Sequence, residues 1–380
     1  MPPRVVIVAG EVSGDLHGAH LARWLREMVP AVELSGIGGP AMAAQGVELL
    51  YRAEDLALVG FLEVLPKLKV ILSALRGMRR HLQEQRPDLL ILIDFPDFNF
   101  RLGLRARKLG LKVLYYVCPQ VWAWRRGRAR KMARFVDHLA ATYPFEPEFL
   151  AGIAPDLKVS FVGHPLLDEA EEAPAPEGPL PVPAQAQLVG ILPGSRRTEV
   201  EHILPTLLQA ARIMSQEQED LHFVLPLAPG LDREAVRPHL AASPPGLTVL
   251  QGRTAQVMEQ ARVLLVASGT ATLQAALAGT PMVVVYKTGG FNYHLARLLV
   301  KVDHIAMPNL IAGREVVPEL IQQEASAPAV ARAGLALLQE GPERQRMLQG
   351  LEVVRQRMGG PGASRRVAAL ARDLMMGSHD

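Results

Sequence analysis

The feature that most constrains the fold is a regular alternation of short apolar runs and helical patterns along the chain. The apolar runs indicate buried strands, and hydrophobic positions recur every three or four residues in the segments between them. The predicted strands are Arg4–Ala9, Val32–Leu34, Leu89–Ile93, Lys112–Val117, Asp137–Thr142, Lys158–Val162, Leu188–Leu192, His222–Leu227, Leu247–Leu250, Val263–Val266 and Met282–Tyr286. This alternation predicts an α/β protein with parallel, doubly wound sheets and right-handed crossovers.

One stretch interrupts the alternation, because residues 168–187 are rich in proline, alanine and glutamate. Such a composition is typical of a linker. A chain of 380 residues also exceeds the length at which a single core stops growing. We therefore predict a first domain over residues 1–167, the linker over 168–187, a second domain over 188–345 and C-terminal helices over 346–380.

The composition is that of a globular protein, with 49% hydrophobic and 21% charged residues. No apolar run reaches the ~20 residues that span a bilayer. The first apolar run is too short for a signal peptide, and Glu11 follows it closely. The single cysteine, Cys118, excludes an internal disulfide and a multi-cysteine metal site. These features predict a cytoplasmic protein.

The charge is unevenly distributed along the chain. Residues 1–165 carry 22 lysines and arginines against 16 acidic residues, whereas the remainder carries 19 against 22. A basic first half indicates an anionic partner: nucleic acid, a lipid surface or a phosphorylated substrate. Aromatic residues make up only 5% of the chain, which disfavours a nucleic-acid surface built on base stacking.

A strand, a tight turn and a helix follow one another in residues 188–201. The turn contains Gly194 and Ser195, and Thr198 followed by Glu201 predicts a capping box, with Pro205 delaying the regular helix. Backbone N–H groups and the helix dipole converge at such a turn and favour phosphate, to which Arg196 adds a forked donor. An ordinary turn with two solvated arginines is the alternative. Residues 267–276 repeat this pattern on a second turn.

Two further loops carry candidate site residues in the first half. The glycine-rich loop over residues 10–18 contains Ser13, which is either a ligand contact or only a helix cap. Asp94 and Asp97 follow the predicted strand Leu89–Ile93, and ligands of open parallel sheets bind at such strand ends. Either carboxylate is a candidate general base, with helix capping the more expected role for Asp97.

Two basic segments have alternative interpretations. The helical pattern after Pro66 places Leu68, Ile71, Leu72, Leu75 and Met78 on one side, among six basic side chains. Such a helix lies either on an anionic membrane or on the protein core with a solvated basic back. The segment Trp122–Lys131 combines two tryptophans with basic residues, as at a lipid–water interface or in a packed loop.

Nine motifs, taken together and in this order, resemble the lipid-A-disaccharide synthase family of bacterial glycosyltransferases. They span nearly the whole chain: Ala9–Asp15, Gly38–Pro40, Val59–Leu65, Asp94–Phe100, Pro119–Arg125, Phe161–His164, Leu192–Glu201, Ala267–Leu273 and Pro308–Glu315. The resemblance implies the GT-B fold, in which two doubly wound domains face each other across a cleft. It places the acceptor and membrane on the first domain and the donor nucleotide on the second.

The resemblance also implies a reaction. The donor is UDP-2,3-diacylglucosamine, the acceptor is 2,3-diacylglucosamine 1-phosphate, and an inverting transfer forms a β-1,6 bond and releases UDP. No metal and no cofactor are implied. Members of the family associate peripherally with the inner membrane. Some form dimers by exchanging C-terminal segments, so residues 346–380 either pack on the first domain or exchange between two copies.

By their match to the family motifs, residues of this chain take expected roles. Asp94 is the expected catalytic base. The expected acceptor contacts are Ser13, Asp15, Asp97, Asn99, Trp124 and Arg125. The expected contacts of the UDP donor are Gly194, Ser195, Arg196, Ser268, Gly269, Thr270, Gln274, Asn309 and Glu315. Gln274 departs from the glutamate expected at the ribose, and its amide accepts a hydrogen bond without carrying charge.

Three other functions fit the same residues. A transferase for a different lipid acceptor, such as the peptidoglycan precursor enzyme, needs the same donor site. A UDP-GlcNAc epimerase shares the fold and the nucleotide, and it converts the donor without an acceptor. A non-catalytic nucleotide-binding membrane protein leaves the donor intact even when the acceptor is present.

Overall fold

The computed structural model describes residues 2–56, 64–122, 126–172, 178–228, 230–288 and 303–377. The chain forms two compact units, one comprising residues 1–172 and 360–380 and the other residues 173–359. Each unit is built on one parallel sheet. The predicted α/β class with two doubly wound domains is confirmed.

The first domain contains a seven-stranded parallel sheet in the order β3-β2-β1-β4-β5-β6-β7. Its strands are β1 (Arg4–Ala9), β2 (Glu33–Gly38), β3 (Glu48–Arg52), β4 (Leu89–Ile93), β5 (Lys112–Tyr116), β6 (His138–Ala141) and β7 (Val159–Phe161). Its helices are α1 (Val12–Met28), α2 (Pro40–Ala44), α3 (Ala53–Leu56), α4 (Val64–Gln85), α5 (Pro96–Lys108), α6 (Gly127–Met132), α7 (Glu146–Ala151) and α8 (Pro165–Glu172).

The second domain contains a six-stranded parallel sheet in the order β10-β9-β8-β11-β12-β13. Its strands are β8 (Gln187–Leu192), β9 (Leu221–Leu227), β10 (Leu247–Gln251), β11 (Val263–Ala267), β12 (Met282–Tyr286) and β13 (Glu319–Ile321). Its helices are α9 (Arg197–Glu217), α10 (Arg233–Val236), a 3₁₀ helix (Arg237–Ala242), α11 (Thr254–Gln260), α12 (Thr270–Ala278), α13 (Met307–Ala312), α14 (Ala327–Leu338) and α15 (Pro342–Met358). The last helix, α16 (Ala363–Met376), belongs to the first domain.

Alternate side chains of the central strands face opposite layers, as the period of two in a strand requires. Val6, Val8 and Leu90 pack with helices α4 and α5. Val5 and Ile7 pack on the other face with α1 and α16. Because both faces are covered, the central strands are apolar without interruption, which is why the sequence pattern located them.

The glycines of strand β2 explain why the predicted strand ended too early at Leu34. A Cβ on Gly36 would lie 1.8 Å from the carbonyl oxygen of Ile7, and the register with β3 shifts between Gly36 and Ile37. The close backbone approach requires glycine, although glycine in a sequence usually indicates the end of a strand. The edge strands β3 and β13 were not predicted, because their residues are only partly buried and lack a long apolar run.

Helix α4 presents its buried face to the core through Ala74, Leu75, Met78 and Leu82. The prediction that Leu72 shares this face is wrong, since Leu72 is 37% exposed and Val70 is 42% exposed. No helix within the described residues is long and apolar enough to cross a membrane. The motif Val59–Leu65, which leads into this helix, lies partly outside the described residues.

The carboxylate of Asp168 joins helix α8 to the start of helix α16. It accepts hydrogen bonds from the backbone N–H groups of Gly362 (2.5 Å), Ala363 (3.1 Å) and Ser364 (2.9 Å). The sequence placed Asp168 at the start of the linker, whereas the structure continues the first domain to Glu172. Of the predicted C-terminal helices, α15 belongs to the second domain and α16 packs on the first.

This carboxylate gives a stability prediction. Asp168→Ala leaves three backbone N–H groups without an acceptor at the start of α16, which should lower the local free energy of unfolding by about 2 kcal/mol or more. Hydrogen exchange over residues 363–376 measures this loss. Glu171→Ala, on the exposed side of the same helix, is the control, and equal exchange in both variants would contradict the role of Asp168.

Candidate active site

The strand order of the first domain reverses beside β1. Strand β1 pairs with β2 on one side and with β4 on the other, with Ala9 opposite Ile93 at the carboxyl edge. Helix α1 then packs on one face of the sheet and α5 on the other. Loops that leave adjacent strands for opposite faces open a crevice, where ligands of such sheets bind.

Asp94 lies at this crevice in a strained conformation. Asp94 and Phe95 both have left-handed backbones, with φ of 42° and 47°. A Cβ added to Gly10 would lie 2.3 Å from the nearest atom of the Phe95 ring, so the ring occupies the space that this Cβ would need. Left-handed non-glycine residues cost of order 1–3 kcal/mol each and cluster at functional sites.

Three hydrogen bonds hold the Asp94 backbone in place. The Tyr115 hydroxyl donates to the Asp94 carbonyl at 2.6 Å, and the Asn99 amide donates to the same oxygen at 2.7 Å. The Asp94 N–H donates to the carbonyl of Tyr116 at 3.2 Å. The direction of the Asp94 side chain is therefore fixed by residues of β5 and α5.

The carboxyl of Asp94 has a pKa suited to proton transfer near neutrality. Burial raises the pKa of Asp94 to about 6, and the negative charge of Glu11 acts in the same direction. His17 and the Phe95 N–H oppose this shift. A carboxyl with such a pKa is ionised at neutral pH and accepts a proton readily.

Asp97 does not have the predicted capping role. Helix α5 begins at Pro96 with Phe95 at the N-cap, and no side chain caps it. The exposed Asp97 instead forms an ion pair with Arg128, at 2.5 Å. Asp97 lies in the first turn of α5, where the positive end of the helix dipole stabilises its negative charge.

The other expected acceptor residues have different environments. Asp15 is buried, and its carboxylate accepts from the N–H groups of Gly39, Ala41 and Met42 at the start of α2. Asn99 is fully buried and donates to the carbonyls of Ile93 and Asp94. Ser13 is exposed in the first turn of α1, where Glu11 is the N-cap, so Ser13 is not the cap. Trp124 and Arg125 lie outside the described residues.

A buried polar cluster beside the crevice was missed from sequence. Glu146 is fully buried and accepts from the N–H groups of Thr142 and Tyr143 and from the indole of Trp122. Burial raises the pKa of Glu146 to about 7, and burial lowers the pKa of the neighbouring His164 to about 3. Two of its partners are only three and four residues away, but no local motif shows that Glu146 is buried, and only the fold brings the indole of Trp122 to it.

The second sheet reverses its strand order between β8 and β11. These strands pair in parallel, with Leu192 opposite Val266. The loops at Gly194 and Gly269 therefore leave the carboxyl edge side by side, each at the start of a helix. This is the second crevice of the kind in which ligands of open sheets bind.

The start of α9 differs from the prediction. The helix begins at Arg197 and includes Pro205, and the predicted capping box of Thr198 and Glu201 is wrong. Glu199 instead reaches back, accepting from the N–H groups of Ser195 (3.0 Å) and Arg196 (3.2 Å). Gly194 has φ of 111°, and a Cβ there would lie 2.4 Å from Glu199 Oε2. Glycine therefore allows the carboxylate to close the turn.

The remaining expected donor residues divide into exposed and buried groups. Gly269, Thr270 and Gln274 are exposed at the start of α12, and Glu315 is exposed in its loop. Ser268 is partly buried and donates to the carbonyl of Ile305 at 3.3 Å.

Asn309 is fully buried, and every polar atom of its amide already has a protein partner. Its Nδ2 donates to the carbonyl of Val317 and to Glu319. Its Oδ1 accepts from the N–H groups of Val316 and Val317. Such saturation favours a role for Asn309 in holding the loop over direct ligand contact.

Solved structures of similar fold define the class. The chain superposes on the UDP-GlcNAc 2-epimerase of Neisseria meningitidis bound to UDP-GlcNAc, with TM-score 0.60, 12% identity and coverage of 97% of this chain and 100% of that one. It also superposes on the calicheamicin glycosyltransferase CalG4 (TM-score 0.64, 15% identity, 100% and 99% coverage). A UDP-glucose:anthocyanidin 3-O-glucosyltransferase in complex with UDP gives TM-score 0.63 at 13% identity, with both chains fully covered. The fold is therefore that of GT-B glycosyltransferases and related epimerases.

Sequence similarity distinguishes between these classes. The family model of lipid-A-disaccharide synthetase matches residues 5–369. The lipid-A-disaccharide synthases of Nitrosococcus oceani and Geobacter sulfurreducens are 44% and 43% identical to this chain, covering 99% and 98% of it and 97% of each relative. The chain belongs to the lipid-A-disaccharide synthase family. It is a glycosyltransferase of lipid A biosynthesis, and the epimerase alternative is not favoured.

Proposed function

We propose that the chain joins UDP-2,3-diacylglucosamine to the 6-hydroxyl of 2,3-diacylglucosamine 1-phosphate with inversion at the donor's C1. The observation that supports this assignment best is the carboxyl of Asp94, held at the crevice of the first domain with a pKa raised to about 6. Family membership supplies the substrate class.

The transfer forms one bond, breaks another and needs a base for the acceptor hydroxyl. The acceptor oxygen bonds to the donor's C1 while the bond from C1 to the diphosphate oxygen breaks. Asp94 takes the hydroxyl proton, and the electron pair of the broken bond leaves with UDP. A positioned base of this kind contributes typically 10²–10⁴-fold in rate. Asn99 and Tyr115 are positioning residues, because they hold the backbone of Asp94.

The donor site of this proposal is the crevice between β8 and β11. The turn at Gly194 and Ser195, which Glu199 closes, lines this site. The starts of α9 and α12 face developing negative charge on the diphosphate, and Arg196 adds a cation. Gln274 and Glu315 are the proposed contacts of the ribose and its neighbouring groups. Ser268 and Asn309 remain part of the proposed site as residues that support the loops around it.

We also propose that the protein associates with the anionic surface of the inner membrane from its cytoplasmic side. The basic first half and the exposed Val70 and Leu72 on α4 support this localisation. A homodimer formed by exchange of C-terminal segments stays a prediction, for which the Asp168 clamp on α16 provides an exchangeable contact.

Mass spectrometry of products from defined donor and acceptor tests the reaction. Wild type should form the disaccharide 1-phosphate and UDP, and the donor should stay unchanged when the acceptor is omitted. Asp94→Asn should lower turnover by about 10²–10⁴-fold with UDP affinity unchanged. Asp97→Asn is the matched control, since its exposed carboxylate pairs with Arg128. Loss of turnover in Asp97→Asn but not in Asp94→Asn would show that the base is Asp97 and not Asp94.

A second prediction concerns the nucleotide site. Arg196→Ala should weaken UDP binding by about 1.5–3 kcal/mol, the usual value of a hydrogen bond to a charged group. Arg197→Ala is the control, because both side chains are 77% exposed and each pairs with one glutamate of α9. Calorimetric titration with UDP measures both variants. Equal affinities for the two would remove Arg196 from the site.

A further inference from the structure

Helices α4 and α5 line a groove of about 720 Å³ on the first domain. Its walls carry six cations and one carboxylate: Arg76, Arg79, Arg80, Arg101, Arg105 and Lys108 against Glu84. Within each helix the lining residues are spaced by three and four positions, so each set lies on one face. The sequence thus brings two basic stripes together across a narrow space.

None of the cations of this groove forms an ion pair within the part of the chain that the structure describes. Arg76 donates to the carbonyl of Leu72, and Arg105 donates to the neutral amide of Gln83. The Nε of Arg79 is buried and has no hydrogen-bond partner. Like charges at such spacing destabilise the helices that carry them. An anion bound in the groove would offset this destabilisation of α4 and α5.

Other arginines of the first domain show the contrast. Arg107, also on α5, pairs with Asp137, and Arg128 pairs with Asp97. Arginine forks match phosphate oxygens with two parallel hydrogen bonds, which lysine cannot do. The predominance of arginine therefore favours a phosphate group over other anions.

Apolar side chains border the same groove. Leu104 lines it and is 42% exposed, and Leu72, four residues before Arg76 on α4, is 37% exposed. Among the described residues, no aromatic ring lines the groove to stack a base. Cations and exposed aliphatic side chains together fit an amphiphile with a phosphate head and an acyl body.

We propose that the α4–α5 groove binds the phosphate headgroup of an anionic phospholipid in the membrane surface. This inference rests on the proposed membrane association and names the surface that would mediate it. The groove is on the helix that follows Asp94, since α5 begins at Pro96 and its second half, from Arg101 to Lys108, lines the groove.

Vesicle flotation of the full chain tests the groove. The probes are vesicles of phosphatidylcholine alone and of phosphatidylcholine with phosphatidylglycerol in equal parts. The triple variant Arg80→Gln, Arg101→Gln, Lys108→Gln removes three exposed cations that form no described side-chain bond. Its partition onto the anionic vesicles should weaken about tenfold to a hundredfold, because each cation near such a surface contributes about fivefold at most.

The control triple removes equal charge elsewhere on the same domain, by Arg52→Gln, Arg134→Gln and Lys158→Gln. It should weaken partition far less than the groove triple, with both variants showing wild-type circular dichroism and melting. Equal loss in the two triples would overturn the groove as the site. Absence of anionic-vesicle binding by wild type would instead overturn the membrane association. Saturable calorimetric binding of inorganic phosphate, lost in the groove triple, would assign the groove to a soluble anion and overturn the lipid.

Discussion

The pairing of β1 with β4 is the constraint on which the chemistry of the first domain depends. These strands lie side by side, yet the helices that follow them pack on opposite faces of the sheet. Their loops must diverge, and the ring of Phe95 in one loop lies close to Gly10 in the other. The pairing of β8 with β11 creates the same arrangement in the second domain. Each domain therefore has one crevice, and the order of its strands determines the position of that crevice.

At the first crevice, backbone strain and hydrogen bonding are balanced. Two consecutive left-handed residues, Asp94 and Phe95, would be unfavourable in a free chain. Bonds from Asn99 and Tyr115 to the Asp94 carbonyl, about 1 kcal/mol each, offset part of that cost. The result is a partly buried carboxyl, and this burial raises its pKa. The backbone strain, the position and the raised pKa of Asp94 therefore all follow from the conformation of the loop after β4.

The sequence predicted most of the fold because buried parallel strands are nearly continuous apolar runs. It also located both crevices, since strand ends rich in glycine and carboxylates are local features. It could not predict hydrogen-bond partners that are distant along the chain. Asp15 looks like a site carboxylate but closes the start of α2, and Asn309 looks like a ligand contact but is saturated by its own loop. Glu199 and Glu201 are equally placed in sequence, and only the start of α9 decides which one closes the turn.

The most direct test of Asp94 as the base is the pH dependence of kcat/KM, which reports the pKa of the free enzyme's essential base. Activity should fall with decreasing pH through an acidic limb near 6, because protonated Asp94 cannot accept the proton. Glu11→Gln should move this limb to lower pH, since it removes a negative charge that raises the pKa of Asp94. Glu27→Gln, on the exposed far end of α1, should leave the limb unchanged. A limb that is absent, or that stays in place in Glu11→Gln, would contradict the assignment of Asp94.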